Sequence, residues 1–235
     1  MTTQDPAAQL VSLIAERAAA APGVFLVGVA GGVAVGKSTL ARAIAEGLEQ
    51  AAPETPVEIV ATDGFLRPNS ELAAAGLIQR KGFPETYDIP AFQAFLDTLA
   101  AGREAATPVY SHVAYDIAQG ETRTVNATGV VIVEGVNVLQ TKAARERFGL
   151  AVYVDAAPEH VKGWYLKRLD EIIANEPDSL IAQIRDPELR ARLIEQAWTE
   201  INLVNLRDHI APTAAHADVV IRKAADHSLV ELVAR

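Results

Sequence analysis

The sequence predicts an α/β fold in which a mostly parallel, five-stranded sheet is covered by helices on both faces. Short apolar runs rich in β-branched residues alternate with segments of helical period along the 235-residue chain. These runs are too short for typical helices, and nearly every position in them is apolar, as in strands that are buried on both faces. No internal repeat or low-complexity linker interrupts the alternation, so we expect one domain over residues 1–235.

The elements follow in chain order. Residues 7–20 have an amphipathic pattern and predict a helix within residues 1–21. The predicted strands are residues 24–30, 57–61, 129–135, 150–156 and 217–221. Polar residues follow most of these strands, and parallel strands place their carboxyl ends at one edge of the sheet. That edge is therefore the expected ligand crevice.

Composition and charge exclude several classes of protein. The chain has no cysteine, and its five histidines are not spaced as zinc ligands, which argues against a disulfide framework or a zinc site. The N-terminal segment lacks a basic start and carries Glu16 and Arg17 within its apolar stretch, so we expect neither a signal peptide nor a membrane span. A formal net charge of −9 disfavours nonspecific binding to nucleic acid or anionic membranes. We therefore expect a cytoplasmic protein with no nucleic-acid or membrane partner.

Residues 31–39 read GGVAVGKST and contain the spacing Gly-x-x-x-x-Gly-Lys-Ser between a predicted strand and a predicted helix. A phosphate-binding loop requires this context, because glycines let backbone N–H groups turn towards phosphate oxygens at the positive end of a helix. Lys37 would neutralise the β- and γ-phosphates, and the Ser38 hydroxyl would bind Mg²⁺. A turn that binds nothing is the weaker alternative. We therefore expect a three-layer fold of the P-loop NTPase type, with ATP bound by Gly31, Gly32, Val33, Ala34, Val35, Gly36, Lys37, Ser38 and Thr39.

Two acidic residues at the ends of predicted strands indicate which reaction this loop serves. Asp63 follows the second strand, where its carboxylate could accept a proton from an attacking hydroxyl, as in a kinase. Its alternative role is to cap a turn. Glu134 ends the third strand, where P-loop proteins hold an acid near Mg²⁺, although it could instead pair with a surface base. The guanine-reading pattern Asn-Lys-x-Asp is absent from the sequence, which argues against a GTPase.

Side-chain spacing marks further candidates for binding an acceptor molecule. Tyr165 and Arg168 are three residues apart on a predicted helix and share one face, where the guanidinium could bind a carboxylate or the transferred phosphate. Tyr110 and His112 alternate along a short strand-like segment and would point to the same side. A structural role is the more common one for an isolated histidine, so His112 is a candidate only through its YSH context.

A second helical stripe places an aromatic ring beside amide groups. Trp198, Asn202, Asn205 and His209 recur at intervals of four, three and four residues, which predicts one face of a single helix. Amide donors and acceptors on such a face suit a substrate rich in amides. An ordinary amphipathic face with satisfied polar groups is an equally good interpretation of each residue. Arg80 and Lys81 are either a solvated pair or part of a lid over phosphates.

Eight blocks of sequence, in order, resemble the bacterial type I pantothenate kinases, within the wider group that holds uridine kinases and phosphoribulokinases. KGFPETYD and EGVNVLQ are the blocks most specific to pantothenate kinases, whereas the phosphate loop is common to the whole group. The resemblance covers roughly residues 22–230 and consists of residues 28–42, 62–72, 76–88, 108–116, 131–140, 153–156, 164–168 and 200–213.

The resemblance implies transfer of the γ-phosphoryl group of ATP to the primary hydroxyl of pantothenate, with Mg²⁺, at the entry to coenzyme A biosynthesis. It implies that Asp63 is the base, that Lys37 and Arg168 are catalytic, and that Ser38 and Glu134 hold the metal. Residues 158–212 would form a helical substrate or lid region, and the family suggests a homodimer. The residues expected to bind substrate are Tyr110, His112, Tyr165, Arg168, Asn202 and Asn205, with His227 near the adenine and Arg42 in coenzyme A feedback.

The helix after Arg168 departs from the family. Leu169 and Ile172 stand where the family places phenylalanines around pantothenate, and the segment after Gln140 is shorter. Two alternatives therefore stay open at this point. One is a kinase of the same architecture acting on a nucleoside or sugar hydroxyl, and the other is a nucleotide-binding regulator without catalysis.

Overall fold

A computed structural model describes residues 5–235 of the chain as a central sheet between two layers of helices. The first four residues of the predicted N-terminal segment 1–21 lie outside the described residues. The strands are β1 (Phe25–Gly31), β2 (Val57–Ala61), β3 (Ala105–Ser111), β4 (Asp116–Val125), β5 (Val130–Glu134), β6 (Leu150–Asp155), β7 (Val219–Lys223) and β8 (Leu229–Ala234).

The central sheet has six strands in the order β2-β5-β1-β6-β7-β8, whereas β3 and β4 form a separate antiparallel hairpin. The five predicted strands are present as β1, β2, β5, β6 and β7, all parallel, with ends displaced by at most two residues. The prediction of five strands is wrong in number, because β8 adds to β7 in antiparallel orientation. As an edge strand without a fully buried residue, β8 lacks the continuous apolar run that marks the inner strands.

Helices cover both faces of the central sheet. On one face α1 (Pro6–Ala20) and α2 (Lys37–Ala51) pack with Leu10, Ile14 and Ile44 in the core, and on the other face α4 (Ile89–Ala100) contributes Phe92 and Leu96. None of the helices in the described part of the chain has the length and apolar character needed to cross a bilayer. The α-helices are α1 (Pro6–Ala20), α2 (Lys37–Ala51), α3 (Asn69–Ala74), α4 (Ile89–Ala100), α5 (Lys142–Arg145), α6 (Pro158–Asn175), α7 (Leu180–Gln183), α8 (Pro187–Gln196) and α9 (Leu203–Asn205).

The helix predicted to carry Trp198, Asn202, Asn205 and His209 is not a regular α-helix. Residues Ala197–Asn202 and Leu206–Ile210 are π-helical on either side of the short α9, and Ala211–His216 continues as 3₁₀-helix. The wider π turns change the direction in which successive side chains point. The expected single stripe is therefore divided.

Sheet register brings the predicted ligand residues to one edge. Glu134, the last residue of β5, pairs with Ala61 of β2 on one side and with Val29 of β1 on the other. The chain continues from β2 into a 3₁₀ turn, Thr62–Phe65, and from β1 into the glycine-rich loop. Glu134 thus lies between the segment carrying Asp63 and the loop before α2.

Candidate active site

The loop between β1 and α2 has the backbone conformation that its glycines allow. Gly36 has a φ of +93°, in the left-handed region that favours glycine, and Ala34 also has a positive φ of 61°. At Gly31, a Cβ atom would lie 2.7 Å from the carbonyl oxygen of Val154 on the neighbouring strand β6. Both glycines are therefore required by the fold of the loop, which ends at the N-terminus of α2 as a phosphate-binding loop must.

Four charged side chains converge at this loop. The Lys37 amine donates a hydrogen bond of 2.9 Å to the carbonyl of Gly32, within the loop itself. Burial lowers the pKa of Lys37, the carboxylates of Glu134 and Asp63 act in the opposite direction, and the guanidinium of Arg168 adds to the lowering. Residues from α2, β5, the turn after β2 and α6 are therefore close enough to interact through their charges.

Ser38 and Glu134 present oxygen atoms to the same point. The Ser38 hydroxyl donates to Glu134 Oε1 at 2.6 Å, and Glu134 is buried at 7% exposure. A hydroxyl and a carboxylate are the oxygen ligands that Mg²⁺ prefers beside a polyphosphate. Residues 5–235 contain no group of three or more histidine, aspartate or glutamate side chains that could hold a metal by themselves.

The segment that carries Asp63 is tied to the segment after Glu134 by a buried hydrogen bond. Thr62 Oγ1 donates to Asn137 Oδ1 at 2.5 Å, and the two side chains are 0% and 1% exposed. A Cβ atom at Gly135 would lie 1.7 Å from Thr62 Oγ1, so only glycine fits there. The contact fixes Asp63 relative to Glu134 across the neighbouring strands β2 and β5.

An aromatic wall from the β3–β4 hairpin stands beside Asp63. The rings of Tyr110 and His112 meet edge to face at 5.2 Å, and Tyr110 also meets Tyr115 at 6.3 Å. Burial raises the pKa of Tyr110, and the charges of Asp63 and neighbouring groups add to the increase. The two residues predicted to share one side of this segment therefore contact each other, although His112 follows the last residue of β3.

Lys81 belongs to the same wall and is half-buried. Its Nζ donates to Asn69 Oδ1 at 2.7 Å and to the carbonyl of Tyr115 at 2.5 Å, and it lies 4.3 Å from the centre of the Tyr115 ring. Burial lowers its pKa, and the charges of Asp116 and Asp63 oppose that change. Its neighbour Arg80 instead pairs with Glu85, so the two cations have different surroundings.

Helix α6 supplies the opposite wall. Tyr165 packs against Trp198 with ring centres 5.5 Å apart. Burial raises the pKa of Tyr165, and a hydrogen bond with Asn202 opposes that increase. The exposed Arg168 side chain acts electrostatically on Lys37 and Tyr115. Tyr165 and Arg168 thus lie on the side of α6 that faces the loop and the hairpin.

Asn205 and His209 turn to a different part of the crevice. Asn205 Nδ2 donates to the carbonyl of Gly82 at 2.8 Å, and the His209 ring meets Phe83 edge to face at 5.6 Å. Asn205 is buried at 4% exposure, and its Oδ1 has no partner among residues 5–235. A buried acceptor without a donor costs free energy unless a ligand or water supplies one.

His227 and Arg42 lie at the periphery. The His227 ring stacks on Trp164 at a centroid distance of 4.3 Å, in a turn where its φ is +69°. Burial lowers the pKa of His227, and the charges of Lys223 and Lys167 lower it further. Arg42 lies on the exposed side of α2, one turn after Ser38.

Three positions with contacts at the candidate site were missed by the sequence reasoning or left unassigned. Asn137 lies in EGVNVLQ, one of the blocks quoted above, but its spacing alone gives no indication of its bond with Thr62. Lys81 had no assigned contact. Lys223 is the last residue of β7 and is only 9% exposed. The available signal in the sequence was a lysine shortly after an apolar run, since lysine is seldom buried without a partner.

Comparison with known proteins agrees with this architecture. The model of the phosphoribulokinase / uridine kinase family matches residues 26–170. A pantothenate kinase from Streptomyces avermitilis is 45% identical over 229 residues, which cover 90% of this chain and 69% of that protein. A pantothenate kinase from Chelativorans sp. is 40% identical over 227 residues, which cover 90% of this chain and 71% of that protein.

Solved structures share the fold at much lower identity. A D-glycerate 3-kinase from Cryptococcus neoformans var. grubii has a TM-score of 0.69 at 13% identity, covering 99% of this chain and 100% of that chain. A phosphoribulokinase from Rhodobacter spheroides has a TM-score of 0.57 at 12% identity, covering 84% and 69% of the two chains. The expected P-loop kinase fold is confirmed, and so is the resemblance drawn from the sequence blocks. The chain belongs to the phosphoribulokinase / uridine kinase family.

Proposed function

We propose that this protein is a pantothenate kinase, which transfers the γ-phosphoryl group of ATP to the primary hydroxyl of pantothenate in the first step of coenzyme A biosynthesis. The observation that carries the proposal is the convergence of Asp63, Glu134 and Arg168 on Lys37 of the phosphate loop. Kinase chemistry needs a base, a metal-side acid and cations around the transferred group, and these four residues supply them. The acceptor is proposed from the curated relatives, which are pantothenate kinases at 40–45% identity.

The loop of residues 31–39 would bind the polyphosphate of ATP. Its backbone N–H groups and the N-terminus of α2 would face the phosphate oxygens, and the Lys37 ammonium would leave the carbonyl of Gly32 for the β- and γ-phosphates. Ser38 and Glu134 would hold Mg²⁺ through the two oxygens that already meet at 2.6 Å. When bound, the ion supplies positive charge that neutralises the phosphate oxygens.

Phosphoryl transfer would take place between Asp63 and Arg168. The Asp63 carboxylate accepts the proton of the pantothenate hydroxyl while the oxygen of that hydroxyl forms a bond to the γ-phosphorus. The bond from that phosphorus to the bridging oxygen breaks, and ADP leaves with the electron pair. Lys37 and Arg168 stabilise the negative charge on the transferred group, for which their placement around the loop is suited.

The acceptor would lie between the hairpin wall and helix α6. Arg168 can bind the pantothenate carboxylate or the transferred phosphate. The orphan Oδ1 of buried Asn205 is an acceptor suited to the amide or hydroxyl of the substrate. The residues proposed to contact pantothenate are Tyr110, His112, Tyr165, Arg168, Asn202 and Asn205.

Further roles are proposed from the family alone. His227 would lie near the adenine, Arg42 would take part in feedback binding of coenzyme A, and residues 158–212 would form the substrate or lid region of a single kinase domain. A homodimer, a cytoplasmic location and the absence of nucleic-acid or membrane partners complete this proposal.

One acceptor panel tests the function. The purified protein is given Mg-ATP with pantothenate, uridine, cytidine or hexoses, and ADP release is followed together with the mass of the phosphorylated product. We expect turnover with pantothenate only. The Asp63→Asn variant, purified in the same way, controls for contaminating kinases. Turnover with a nucleoside or sugar and none with pantothenate would contradict the acceptor, and nucleotide binding without any turnover would contradict the kinase activity itself.

A further inference from the structure

We propose that Lys223 is a positioning residue of the phosphate loop. It orients the backbone of Val35 and Gly36 towards the nucleotide phosphates, and the negative charge of these phosphates compensates the charge of its ammonium group. This inference deepens the proposed function and rests on it in one respect, namely that a nucleoside polyphosphate occupies the loop.

The contact between Lys223 and the loop is direct. Lys223 Nζ donates to the carbonyl oxygen of Val35 at 3.0 Å, although the two residues are 188 positions apart in the chain. No cis peptide bond occurs in residues 5–235. In a trans peptide unit the C=O and the following N–H point in opposite directions. Because Lys223 holds the Val35 carbonyl on its own side, the N–H of Gly36 is directed to the opposite side, away from Lys223, where it could donate to a nucleotide phosphate.

The local sequence leaves room for this ammonium only because residue 36 is glycine. A Cβ atom at Gly36 would lie 2.6 Å from Lys223 Nζ, which is closer than a real Cβ atom approaches. The glycine therefore has two functions, since it adopts the positive φ of the loop and also admits the lysine.

Strand β7 and helix α6 hold the lysine in place. The register between β7 and β8 shifts between Arg222 and Lys223, and such irregularities re-aim side chains at the ends of strands. Arg222 is exposed and pairs with Glu231, whereas Lys223 is 9% exposed and lies 5.1 Å from the centre of the Trp164 ring. Arg222 therefore points to solvent, and Lys223 points to the loop.

The charge of Lys223 has no carboxylate partner in the described part of the chain. None of the ion pairs among residues 5–235 includes Lys223. Burial lowers its pKa, as expected for an ammonium group that has left water without a counter-ion. A buried cation is costly unless an anion compensates it. Nucleotide phosphates at the loop would supply that negative charge, so the free energy of phosphate binding includes the release of this cost.

The test compares phosphate-dependent with phosphate-independent binding. Lys223→Met removes the donor and the charge at nearly the same length, and Lys223→Arg retains both. Dissociation constants for ADP and adenosine are measured by calorimetry, and KM values for ATP and pantothenate by steady-state kinetics. We expect Lys223→Met to weaken ADP binding by about 10- to 100-fold, because the variant loses both the donor that orients the loop and a positive charge near the phosphates. Adenosine affinity and the KM for pantothenate should change by less than about twofold, and Lys223→Arg should recover most of the ADP affinity.

A matched control removes a different lysine charge. Lys162 lies on α6 near Trp164 in sequence and pairs with Glu195 at 2.8 Å, so Lys162→Met should leave ADP affinity unchanged. An ADP affinity of Lys223→Met within twofold of the wild type would overturn the inference. Equal losses for ADP and adenosine would overturn it too, since they would indicate a merely structural role. If Lys223→Met does not fold, Lys223→Gln, which keeps a neutral donor, must show the same selective loss for ADP.

The inference and the proposed function can fail separately. ADP binding needs no acceptor, so absence of pantothenate turnover together with a selective effect of Lys223→Met would contradict only the proposed acceptor chemistry. Normal pantothenate turnover with unchanged ADP affinity in Lys223→Met would contradict only the role of Lys223.

Discussion

Replacing Thr62 by valine should destabilise the protein by about 1–3 kcal/mol, because it leaves a buried amide without its partner. Thr62 Oγ1 donates to Asn137 Oδ1 at 2.5 Å, and both side chains are buried. Valine has nearly the same shape as threonine and fills the same space. The substitution therefore removes the hydrogen bond without creating a cavity.

The magnitude follows from the surroundings of Asn137. Its Nδ2 already has no partner among the described residues, so the bond from Thr62 is the side-chain bond that offsets burial of this amide. Leaving a buried acceptor unsatisfied costs about 1–3 kcal/mol. For a domain of this size each kcal/mol lowers the melting temperature by about 2–4 °C, so we expect a decrease of about 2–12 °C.

Denaturant unfolding of a double-mutant cycle measures the interaction. The cycle contains the wild type, Thr62→Val, Asn137→Leu and the double variant, with Thr62→Ser as the control that keeps the hydroxyl. Replacing both partners by apolar groups removes the unsatisfied amide, so the double variant should be more stable than the sum of the single changes implies. Since Thr62 precedes Asp63, kcat should also fall in Thr62→Val and be largely retained in Thr62→Ser.

Two results would refute the reasoning. One is a Thr62→Val variant within about 0.5 kcal/mol of the wild type, which is the range of ordinary surface substitutions. The other is a double variant whose loss equals the sum of the two single losses, because contacting residues in one hydrogen bond must couple.

Two further predictions concern the chemistry of the site. Asp63→Asn should retain nucleotide affinity and lower kcat by about 100- to 10,000-fold, as expected for a lost general base, and near-normal turnover in a steady-state assay would remove Asp63 from that role. Glu134→Gln should raise the Mg²⁺ concentration needed for half-maximal activity by about 10- to 100-fold, because the carboxylate that meets the Ser38 hydroxyl becomes neutral. A Mg²⁺ titration at saturating ATP checks this, and an unchanged curve would show that Glu134 does not act on the metal side.

The parts of the fold that the sequence predicted are those with a strong local signal. The inner strands β1, β5 and β6 are continuous apolar runs, because both of their faces are covered by helices. β4 and β8 give no such signal. Most residues of β4 are exposed, and β8 lies at a sheet edge with Glu231 in its middle, so their pairing is decided by the hairpins that join them to β3 and β7.

The residues of the candidate site also differ in whether the local sequence indicates them. The phosphate loop was predicted because its glycines, lysine and serine are neighbours in the chain, and the positions of Asp63 and Glu134 followed from the ends of strands. The contacts that hold these residues join distant segments. Thr62 and Asn137 are 75 residues apart, and Lys223 and Val35 are 188 apart, so no spacing rule could pair them.

The irregular helix of residues 197–210 shows how a segment predicted to be helical can still direct its side chains differently from an ideal α-helix. In an ideal α-helix the side chains of Trp198, Asn202, Asn205 and His209 would form one stripe and face one neighbour. The π-helical turns before and after α9 instead direct Trp198 and Asn202 to Tyr165 of α6, and Asn205 and His209 to the turn of residues 82–83. One helical segment therefore contacts both α6 and the turn of residues 82–83. π turns replace the i→i+4 hydrogen bonds of an α-helix by i→i+5 bonds and are frequent at functional sites. Their presence on both sides of Asn205 therefore favours a binding role for this residue over an ordinary amphipathic face.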